Sequence, residues 1–254
     1  MICRGVLLDL SGVLYAGDHA LPGARQALER LPAAGLAVRY ITNTTRSTRR
    51  ETVERLAAMG LAVAESEVFS APLAARSLIE QRGLRPLLIV HPRLEPEFAG
   101  LDTRDPNAVL LGDAGAAFTY ARLNEAFRLL LDGAPLLAMA RNRYFRDGEA
   151  LSLDAGPFVA ALEYAAGTQA EVIGKPSRAF FLAAAHDFGC RPGQVVVVGD
   201  DVEADVVGAT AAGMQGILVR TGKYRSGDEA LLPDGAVLSD DIGAAVDWIV
   251  KHRT

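Results

Sequence analysis

Short apolar runs alternate along this chain with longer segments in which apolar residues recur at helical spacing. Strands are predicted at Gly5–Leu10, Ala37–Thr42, Pro86–His91, Ala108–Leu111, Pro135–Met139, Val195–Gly199 and Gly216–Arg220. Helices are predicted at Gly23–Pro32, Ser47–Met59, Ala71–Arg82, Tyr120–Leu131, Pro157–Ala166, Arg178–Phe188 and Asp205–Ala212. Apolar strands that alternate with helices are typical of parallel sheets covered on both faces. The pattern therefore predicts the α/β fold class.

The residues that could carry chemistry fall into two blocks. One block runs from the start of the chain to about residue 73, and the other begins near residue 171. The stretch between them has its own strand and helix pattern. We therefore predict a core domain made from residues 1–73 and 171–254, with residues 74–170 inserted as a cap domain.

Two predicted strands of the first block end in polar residues. The first strand ends in Asp9 and is followed by Ser11 and Gly12, and a later strand ends in Thr42 and Asn43. Ligands of open parallel sheets bind beyond the carboxyl ends of the strands, where short polar side chains and helix amides can hold phosphate. Two ordinary structural roles stay open, because an Asp can cap a turn and a Thr can cap a helix.

The second block adds a lysine and an acidic cluster. Lys175 follows a short apolar run, although most lysines simply lie in solvent. Four valines and Gly199 precede Asp200, Asp201, Glu203 and Asp205. So many like charges are unfavourable together unless a cation is bound, although acidic residues also favour a helix N-terminus. We expect Asp201 and Asp205, four residues apart, to share one helix face.

Together these signals predict a magnesium-dependent phosphoryl-transfer site. Hard carboxylate oxygens from two strand ends suit Mg²⁺, which binds through one or two carboxylates plus phosphate oxygens and water. Thr42 and Lys175 would bind the phosphoryl oxygens. Asp9 would attack as a carboxylate nucleophile and form an aspartyl-phosphate that water then hydrolyses.

The order of these residues resembles the haloacid dehalogenase (HAD) superfamily. Its four motifs match Asp9-Leu10-Ser11-Gly12, Thr42-Asn43, Lys175 and Gly199-Asp200-Asp201 with Asp205. The resemblance implies a Rossmann-like core, and the long insertion between the second and third motifs implies a C2-type cap. It also implies that Asp9 is the nucleophile and that Asp205 orients Lys175.

The same resemblance implies a ligand set and a substrate-binding set. Mg²⁺ would be held by the Asp9 carboxylate, the backbone carbonyl of Ser11 and Asp200. Asn43 would join Thr42 and Lys175 in binding substrate.

Ser11 occupies a catalytic position where most HAD phosphatases carry a second Asp as general acid and base. A hydroxyl cannot take that role at neutral pH, and general acid–base catalysis contributes about 10²–10⁴-fold. Other segments, among them Ala170–Ser177 and Val219–Tyr224, resemble a HAD subfamily that acts on inorganic pyrophosphate, phospholysine and phosphohistidine. That resemblance implies a small phosphorylated substrate or phospho-amino acid, a cytoplasmic location and a homodimer formed through the cap.

Composition excludes several other classes of protein. The chain has 254 residues, is 50% apolar and carries a formal net charge of −5, without a basic run, so we expect neither nucleic acid nor membrane as a partner. The apolar N-terminus contains Asp9 and is interpreted as a strand, not a signal peptide. Two cysteines provide no disulfide framework or metal-site spacing.

Three functional hypotheses remain in order of preference. The first is a phosphatase, the second a phosphate-binding regulatory protein with little turnover, which Ser11 favours, and the third a nucleotide-dependent dehydrogenase. The dehydrogenase hypothesis lacks support because the loop after the first predicted strand does not have the G-x-G-x-x-G spacing of dinucleotide-binding loops. Within the phosphatase hypothesis, small phosphate monoesters are an alternative to pyrophosphate and P–N bonds.

Overall fold

The computed structural model describes residues 2–147 and 150–253, without the side chains of residues 146 and 147. The chain divides into two compact units. The first unit contains the residues up to Thr42, Arg49–Phe69 and the residues from Lys175 onward. The second contains Asn43–Thr48 and Ser70–Gly174. The assignment of residues 74–170 as a cap stays a prediction.

Strands and helices alternate along most of the chain. The strands are β1 (Gly5–Asp9), β2 (Tyr15–Ala16), β3 (His19–Ala20), β4 (Ala37–Thr42), β5 (Val68–Ser70), β6 (Pro86–Ile89), β7 (Ala108–Leu111), β8 (Leu136–Ala138), β9 (Tyr144–Asp147), β10 (Ala150–Leu153), β11 (Glu171–Val172), β12 (Val195–Gly199), β13 (Gln215–Val219) and β14 (Val237–Ser239). The α-helices are α1 (Ala24–Ala33), α2 (Arg49–Ala58), α3 (Ala71–Arg82), α4 (Tyr120–Leu131), α5 (Ala155–Ala166), α6 (Arg178–Asp187), α7 (Gly208–Ala211) and α8 (Ile242–His252).

Short 3₁₀ segments and one π-helical segment connect these elements. The 3₁₀ segments are Glu65–Glu67, Pro92–Phe98, Gly115–Ala117, Pro192–Gln194 and Asp228–Leu231, and the π-helix is Val202–Val207. Within the described residues no helix is long and apolar enough to span a membrane.

A six-stranded sheet forms the centre of the first unit, in the order β14-β13-β12-β1-β4-β5. Strand β12 pairs in parallel with β1 on one side and β13 on the other, and β1 also pairs in parallel with β4. The four valines of β12 are fully buried, which explains why such a run of β-branched residues is needed there. The carboxyl ends of β4, β1, β12 and β13 therefore lie at one edge of the sheet.

The second unit has its own sheet and its own apolar core. Four parallel strands follow the order β11-β8-β7-β6, and the separate hairpin β9–β10 is antiparallel. Helix α3 begins after Ser70, whose hydroxyl accepts a hydrogen bond from the Leu73 amide at 3.3 Å, and ends at Gly83 with a φ of 62°. Residues of β6–β8, α4 and α5 pack together in the core.

The predicted α/β fold is confirmed, with two kinds of difference in detail. Each predicted strand and helix has a counterpart, most within one or two residues at either end. The elements that the pattern did not predict are β2, β3, β5, β9, β10, β11, β14 and α8. The last predicted helix begins earlier than expected, because the π-helix Val202–Val207 precedes α7.

Candidate active site

Three strands of the first unit end in the residues that the sequence singled out. Asp9 is the last residue of β1, and Asp200 directly follows β12. Ile41 is the parallel register partner of Asp9, so Thr42 ends β4 one residue beyond that pair. Since parallel strands share a direction, these residues reach the same edge of the sheet, where open α/β proteins bind ligands.

Lys175 forms ion pairs with two carboxylates in the interior of the first unit. Its Nζ donates hydrogen bonds to Oδ1 of Asp9 and to Oδ1 of Asp205, each at 2.6 Å. All three residues are buried, with Asp205 only 1% exposed. Burial lowers the pKa of Lys175, but Asp205 and then Asp9 outweigh burial and raise it above its ordinary value. Lys175 is therefore a permanent cation between two acids.

Asp205 lies inside the π-helix and Asp201 is its N-cap residue, so the expectation that the two share one helix face stays a prediction. Asp201 is the N-cap residue, with extended backbone, and its Oδ1 accepts from the Ala204 amide at 3.0 Å. Asp205 Oδ2 in turn accepts from the Asp201 amide at 3.2 Å. Because Asp205 Oδ1 accepts from Lys175, both of its carboxylate oxygens are engaged. The orienting role of Asp205 stays a prediction, which this hydrogen bond to Lys175 supports.

Asp200 has a different environment from Asp205. Its Oδ2 accepts a hydrogen bond from the Lys223 amide at 2.7 Å. Its Oδ1 is buried and has no hydrogen-bond partner among the residues that the structure describes. Burial, followed by the charges of Asp9 and Asp205, raises the pKa of Asp200. A buried carboxylate oxygen without a donor is costly unless a cation binds it.

The side chains of Asp9, Asp200 and Asp205 form a cluster that fits a divalent cation. One carboxylate oxygen from each lies within 4.8 Å of the others. Lys175 compensates one of the three negative charges, so two remain uncompensated, which matches the charge of Mg²⁺. Carboxylates are hard oxygen ligands of the kind that Mg²⁺ prefers. The partnerless oxygen of Asp200 makes this residue, and not the fully hydrogen-bonded Asp205, the better metal ligand.

Ser11 and Gly12 form the turn after Asp9. The Gly12 amide donates to the Tyr15 carbonyl at 2.7 Å, and Ser11 is exposed. Gly12 has a φ of 87°, and a methyl group built there would collide with Asp200 Oδ2. Glycine is therefore required at this position both for its backbone conformation and for the close approach of Asp200.

The two residues of the second motif belong to different units. Thr42 is half-buried at the end of β4 in the first unit, whereas Asn43 begins the segment Asn43–Thr48 of the second unit. Within the second unit, Asn43 lies against Gly174, because a methyl group on Gly174 would come within 2.6 Å of Asn43 Oδ1. The substrate-binding role of both residues stays a prediction.

The loop after β13 is a part of the site that the sequence analysis did not identify. The Thr221 hydroxyl donates to the Gly12 carbonyl, and the Lys223 amide binds Asp200. Gly222 lies against Gly12, and a methyl group on Gly222 would be only 2.5 Å from the Gly12 Cα. The loop could have been found by the same reasoning as Asp9, since it follows the carboxyl end of a predicted parallel strand.

Two family comparisons match opposite ends of the chain. The haloacid dehalogenase-like hydrolase family matches residues 6–104, and the HAD-hydrolase-like family matches residues 172–245. The second match contains Asp200 and Asp205, and the first contains Asp9 and Thr42. The same four residues therefore lie in the segments that these families share.

Named relatives match the chain over nearly its full length. Haloacid dehalogenase-like hydrolase domain-containing protein 2 of Rattus norvegicus is 49% identical over 252 residues, covering 99% of this chain and 97% of the relative. Phospholysine phosphohistidine inorganic pyrophosphate phosphatase of Danio rerio is 46% identical, covering 98% of this chain and 95% of the relative.

Solved phosphatase structures share the fold. The 4-nitrophenylphosphatase of Thermotoga maritima has a TM-score of 0.89 at 26% identity, with coverage of 96% of this chain and 97% of that one. Glycerol phosphate phosphatase of Mycobacterium tuberculosis, solved in complex with magnesium, has a TM-score of 0.85 at 25% identity and covers 95% of this chain and 76% of that one.

The α/β fold and the grouped carboxylates place this protein in the class of HAD-type hydrolases, whose named relatives here are phosphatases. The chain belongs to the haloacid dehalogenase-like hydrolase family.

Proposed function

We propose that this protein is a magnesium-dependent phosphatase that transfers the phosphoryl group of its substrate to Asp9 and then to water. One observation carries the proposal: Lys175 binds Asp9 and Asp205, each at 2.6 Å, beside the partnerless carboxylate oxygen of Asp200. An ion pair that served stability alone would not need a third buried acid, because uncompensated buried charge destabilises a fold.

In the first step a carboxylate oxygen of Asp9 attacks the phosphorus atom. A bond forms between that oxygen and phosphorus while the bond to the leaving group breaks, and the bonding electron pair departs with the leaving group. In the second step water attacks phosphorus, the bond to Asp9 breaks, and inorganic phosphate and the free carboxylate result. Lys175, fixed by Asp205, stabilises negative charge on the phosphoryl oxygens, with Thr42 and Asn43 as additional donors.

The metal ligands in this proposal are the Asp9 carboxylate, the Ser11 backbone carbonyl and Asp200. When bound, Mg²⁺ supplies charge neutralisation for the phosphoryl oxygens and the carboxylates. The carboxylate cluster and its two uncompensated charges support this assignment. The role of Ser11 rests on the family resemblance.

Pyrophosphate and P–N bonds are the substrates that we propose. The Danio rerio relative is named for phospholysine, phosphohistidine and inorganic pyrophosphate. The exposed Ser11 provides no general acid, so substrates whose leaving group is weakly basic or already protonated lose least. Alkyl phosphate monoesters leave as strong bases and should react more slowly.

Release of inorganic phosphate from pyrophosphate in the presence of Mg²⁺ tests this function. The wild type should turn over, and Asp9→Asn should lose activity by several orders of magnitude because the nucleophile is removed while the shape is kept. Asp247→Asn, on the exposed face of α8, is the matched control and should retain full activity. Beryllofluoride should bind at Asp9 in the wild type.

Three outcomes distinguish the proposal from its alternatives. Activity of Asp9→Asn above a few per cent would exclude covalent transfer through Asp9. Turnover of 4-nitrophenyl phosphate or glycerol phosphate without turnover of pyrophosphate would instead identify a monoester phosphatase. Phosphate binding without turnover of any substrate would identify a regulatory protein.

We also propose that the second unit acts as a C2-type cap and mediates a cytoplasmic homodimer. Tyr144, Leu151 and Leu153 of the hairpin β9–β10 are each more than 50% exposed, and Leu153 pairs directly with Tyr144. Apolar side chains grouped on an exposed surface are typical of interaction sites. Light scattering should give twice the chain mass at micromolar concentration. The double variant Leu151→Glu, Leu153→Glu should give the mass of a single chain. A wild-type monomer would contradict the dimer.

A further inference from the structure

Lys223 is an exposed cation whose backbone is fixed at the acidic cluster. Its amide donates to Oδ2 of Asp200 at 2.7 Å, so the residue begins within one hydrogen bond of a proposed metal ligand. Its side chain is 66% exposed, and Nζ lies 3.2 Å from Oδ2 of Asp201. A lysine side chain carries a compact charge on a flexible four-carbon stem, so the ammonium can sample the space beside the site.

The loop of Lys223 is held against the loop of Ser11. Thr221 donates its hydroxyl hydrogen to the Gly12 carbonyl, and Gly222 lies against Gly12. Both glycines have left-handed backbones, with φ values of 87° for Gly12 and 65° for Gly222. A side chain at either position would collide with Asp200. Lys223 directly follows Gly222, so the contact of Gly222 with Gly12 holds the backbone of Lys223 beside the turn that contains Ser11.

The charges around Lys223 leave its ammonium available for a ligand. The pair with Asp201 is solvent-exposed on the lysine side, and such pairs contribute only about 0–1 kcal/mol. An anionic substrate oxygen can therefore replace Asp201 as the partner of the Lys223 ammonium at little cost in free energy. Lys175, by contrast, is buried between two acids.

We propose that Lys223 binds the leaving group of the substrate and thereby selects leaving groups that carry anionic oxygens, as in pyrophosphate. The inference rests on the proposed phosphatase function and assigns the residue that makes it selective. A phosphate leaving group departs with the electron pair of the broken bond and increases its negative charge. An ammonium at this place stabilises that charge without transferring a proton. It would therefore act although Ser11 provides no general acid.

Comparison of two substrates with the same transferred group tests this role. Outside the transferred phosphoryl group, pyrophosphate carries anionic oxygens, whereas 4-nitrophenyl phosphate carries an uncharged aromatic ring and nitro group. Lys223→Met should lower kcat/KM for pyrophosphate by about tenfold or more, the usual effect of one charge-assisted hydrogen bond. The value for 4-nitrophenyl phosphate should change by less than about twofold.

Control variants and control measurements accompany that comparison. Lys223→Arg keeps the charge and should retain most of the pyrophosphate activity. Lys251→Met removes the charge of a lysine in α8, far along the chain, and should change neither substrate. Lys223→Met is assayed at saturating Mg²⁺, because the lost charge lies beside Asp200, and its cooperative thermal unfolding verifies the fold; Lys223→Gln should reproduce its kinetics.

A binding measurement separates this inference from the proposed function. The full-length Asp9→Asn protein, which cannot turn over, is titrated with pyrophosphate and with inorganic phosphate in the presence of Mg²⁺. Adding Lys223→Met should weaken pyrophosphate binding about tenfold and leave phosphate binding unchanged, whether or not the wild type hydrolyses pyrophosphate. Equal losses for both ligands, equal losses for both substrates, or no loss at all would overturn the role of Lys223.

Discussion

Asp9 and Lys175 are joined by a 2.6 Å hydrogen bond between segments that lie 166 residues apart in the sequence. Asp9 ends a central strand, whereas Lys175 opens the return of the chain into the first unit. The bond fixes one oxygen of the proposed nucleophile beside the cation that would bind the phosphoryl oxygens. Preorganised charge of this kind reduces the rearrangement needed at the moment of reaction.

Removal of the metal should abolish phosphatase activity reversibly. Without the metal, negative charge in the cluster of Asp9, Asp200 and Asp205 is no longer compensated by a divalent cation and would repel an anionic substrate. Added Mg²⁺ should restore activity, and excess Ca²⁺ should inhibit, because Ca²⁺ takes more ligands at longer distances. Phosphate release in a metal titration measures all three effects. Full activity in EDTA would contradict the magnesium assignment.

The stability of the metal-free protein should fall as pH rises from about 4 to about 7. Burial, Asp9 and Asp205 raise the pKa of Asp200 to about 7, whereas an unfolded Asp titrates at about 3.9. Between these values the folded protein binds more protons than the unfolded chain, so the free energy of unfolding decreases with increasing pH.

Calorimetry in EDTA and in Mg²⁺ checks this prediction. Relative to Asp200→Asn, the Tm of the metal-free wild type should decline across the window. Mg²⁺ should raise the wild-type Tm more at pH 7 than at pH 5, because the metal competes with the protons of the carboxylates. If the Tm of the metal-free wild type rose with increasing pH relative to that of Asp200→Asn, the prediction would be contradicted.

Asp113 should stabilise the second unit. It is 3% exposed, and its carboxylate accepts hydrogen bonds from Nε and Nη2 of Arg46 and from the Gly115 amide. Asp113→Asn should lower the free energy of unfolding by about 1–3 kcal/mol, because one ion pair is lost in a buried setting. Glu125→Gln, which breaks an exposed pair with Arg122, should change it by less than about 0.5 kcal/mol. Urea denaturation measures both, and equal effects would contradict the prediction.

Ser11→Asp should widen the substrate range. An added carboxylic acid can protonate a departing alkoxide, which benefits alkyl phosphates most, whereas pyrophosphate leaves as a weaker base. The ratio of kcat/KM values, alkyl phosphate over pyrophosphate, should rise by about tenfold or more. A magnesium titration of the variant controls for distortion by the new charge. If metal affinity is kept and the ratio does not move, Ser11 does not determine substrate choice.

The fold was predictable where burial is strong and elements are long. Four consecutive valines can only fill a buried strand, and Val195–Gly199 is one. Strands β5 and β14 have three residues each, too few for a pattern, and Leu151 and Leu153 of β10 are exposed, so no burial period marks that hairpin. Helix α8 did carry a signal, since Asp241 caps it and apolar residues recur along it.

The candidate site was predictable where chemistry follows a strand end. Asp9, Asp200 and Thr42 each terminate an apolar run, and the charge of Asp205 so close to Asp200 indicated a cation. The loop of Lys223 also follows a predicted strand, but a single sequence does not reveal the close approach of Gly12 and Gly222 that holds this loop beside Asp200. The π-helical form of Val202–Val207 was not predicted either, because a single sequence does not distinguish it from an α-helix.

The order of strands in the six-stranded sheet has a consequence for synthesis on the ribosome. The central strand β1 is made first, yet its neighbour β12 emerges only about 190 residues later. Residues 70–174 are complete before that point and can fold as a unit while the nascent β1 still lacks one partner. Lys175 can pair with both Asp9 and Asp205 only after Asp205 has left the exit tunnel, so a nascent chain that ends before Asp205 cannot contain the assembled candidate site.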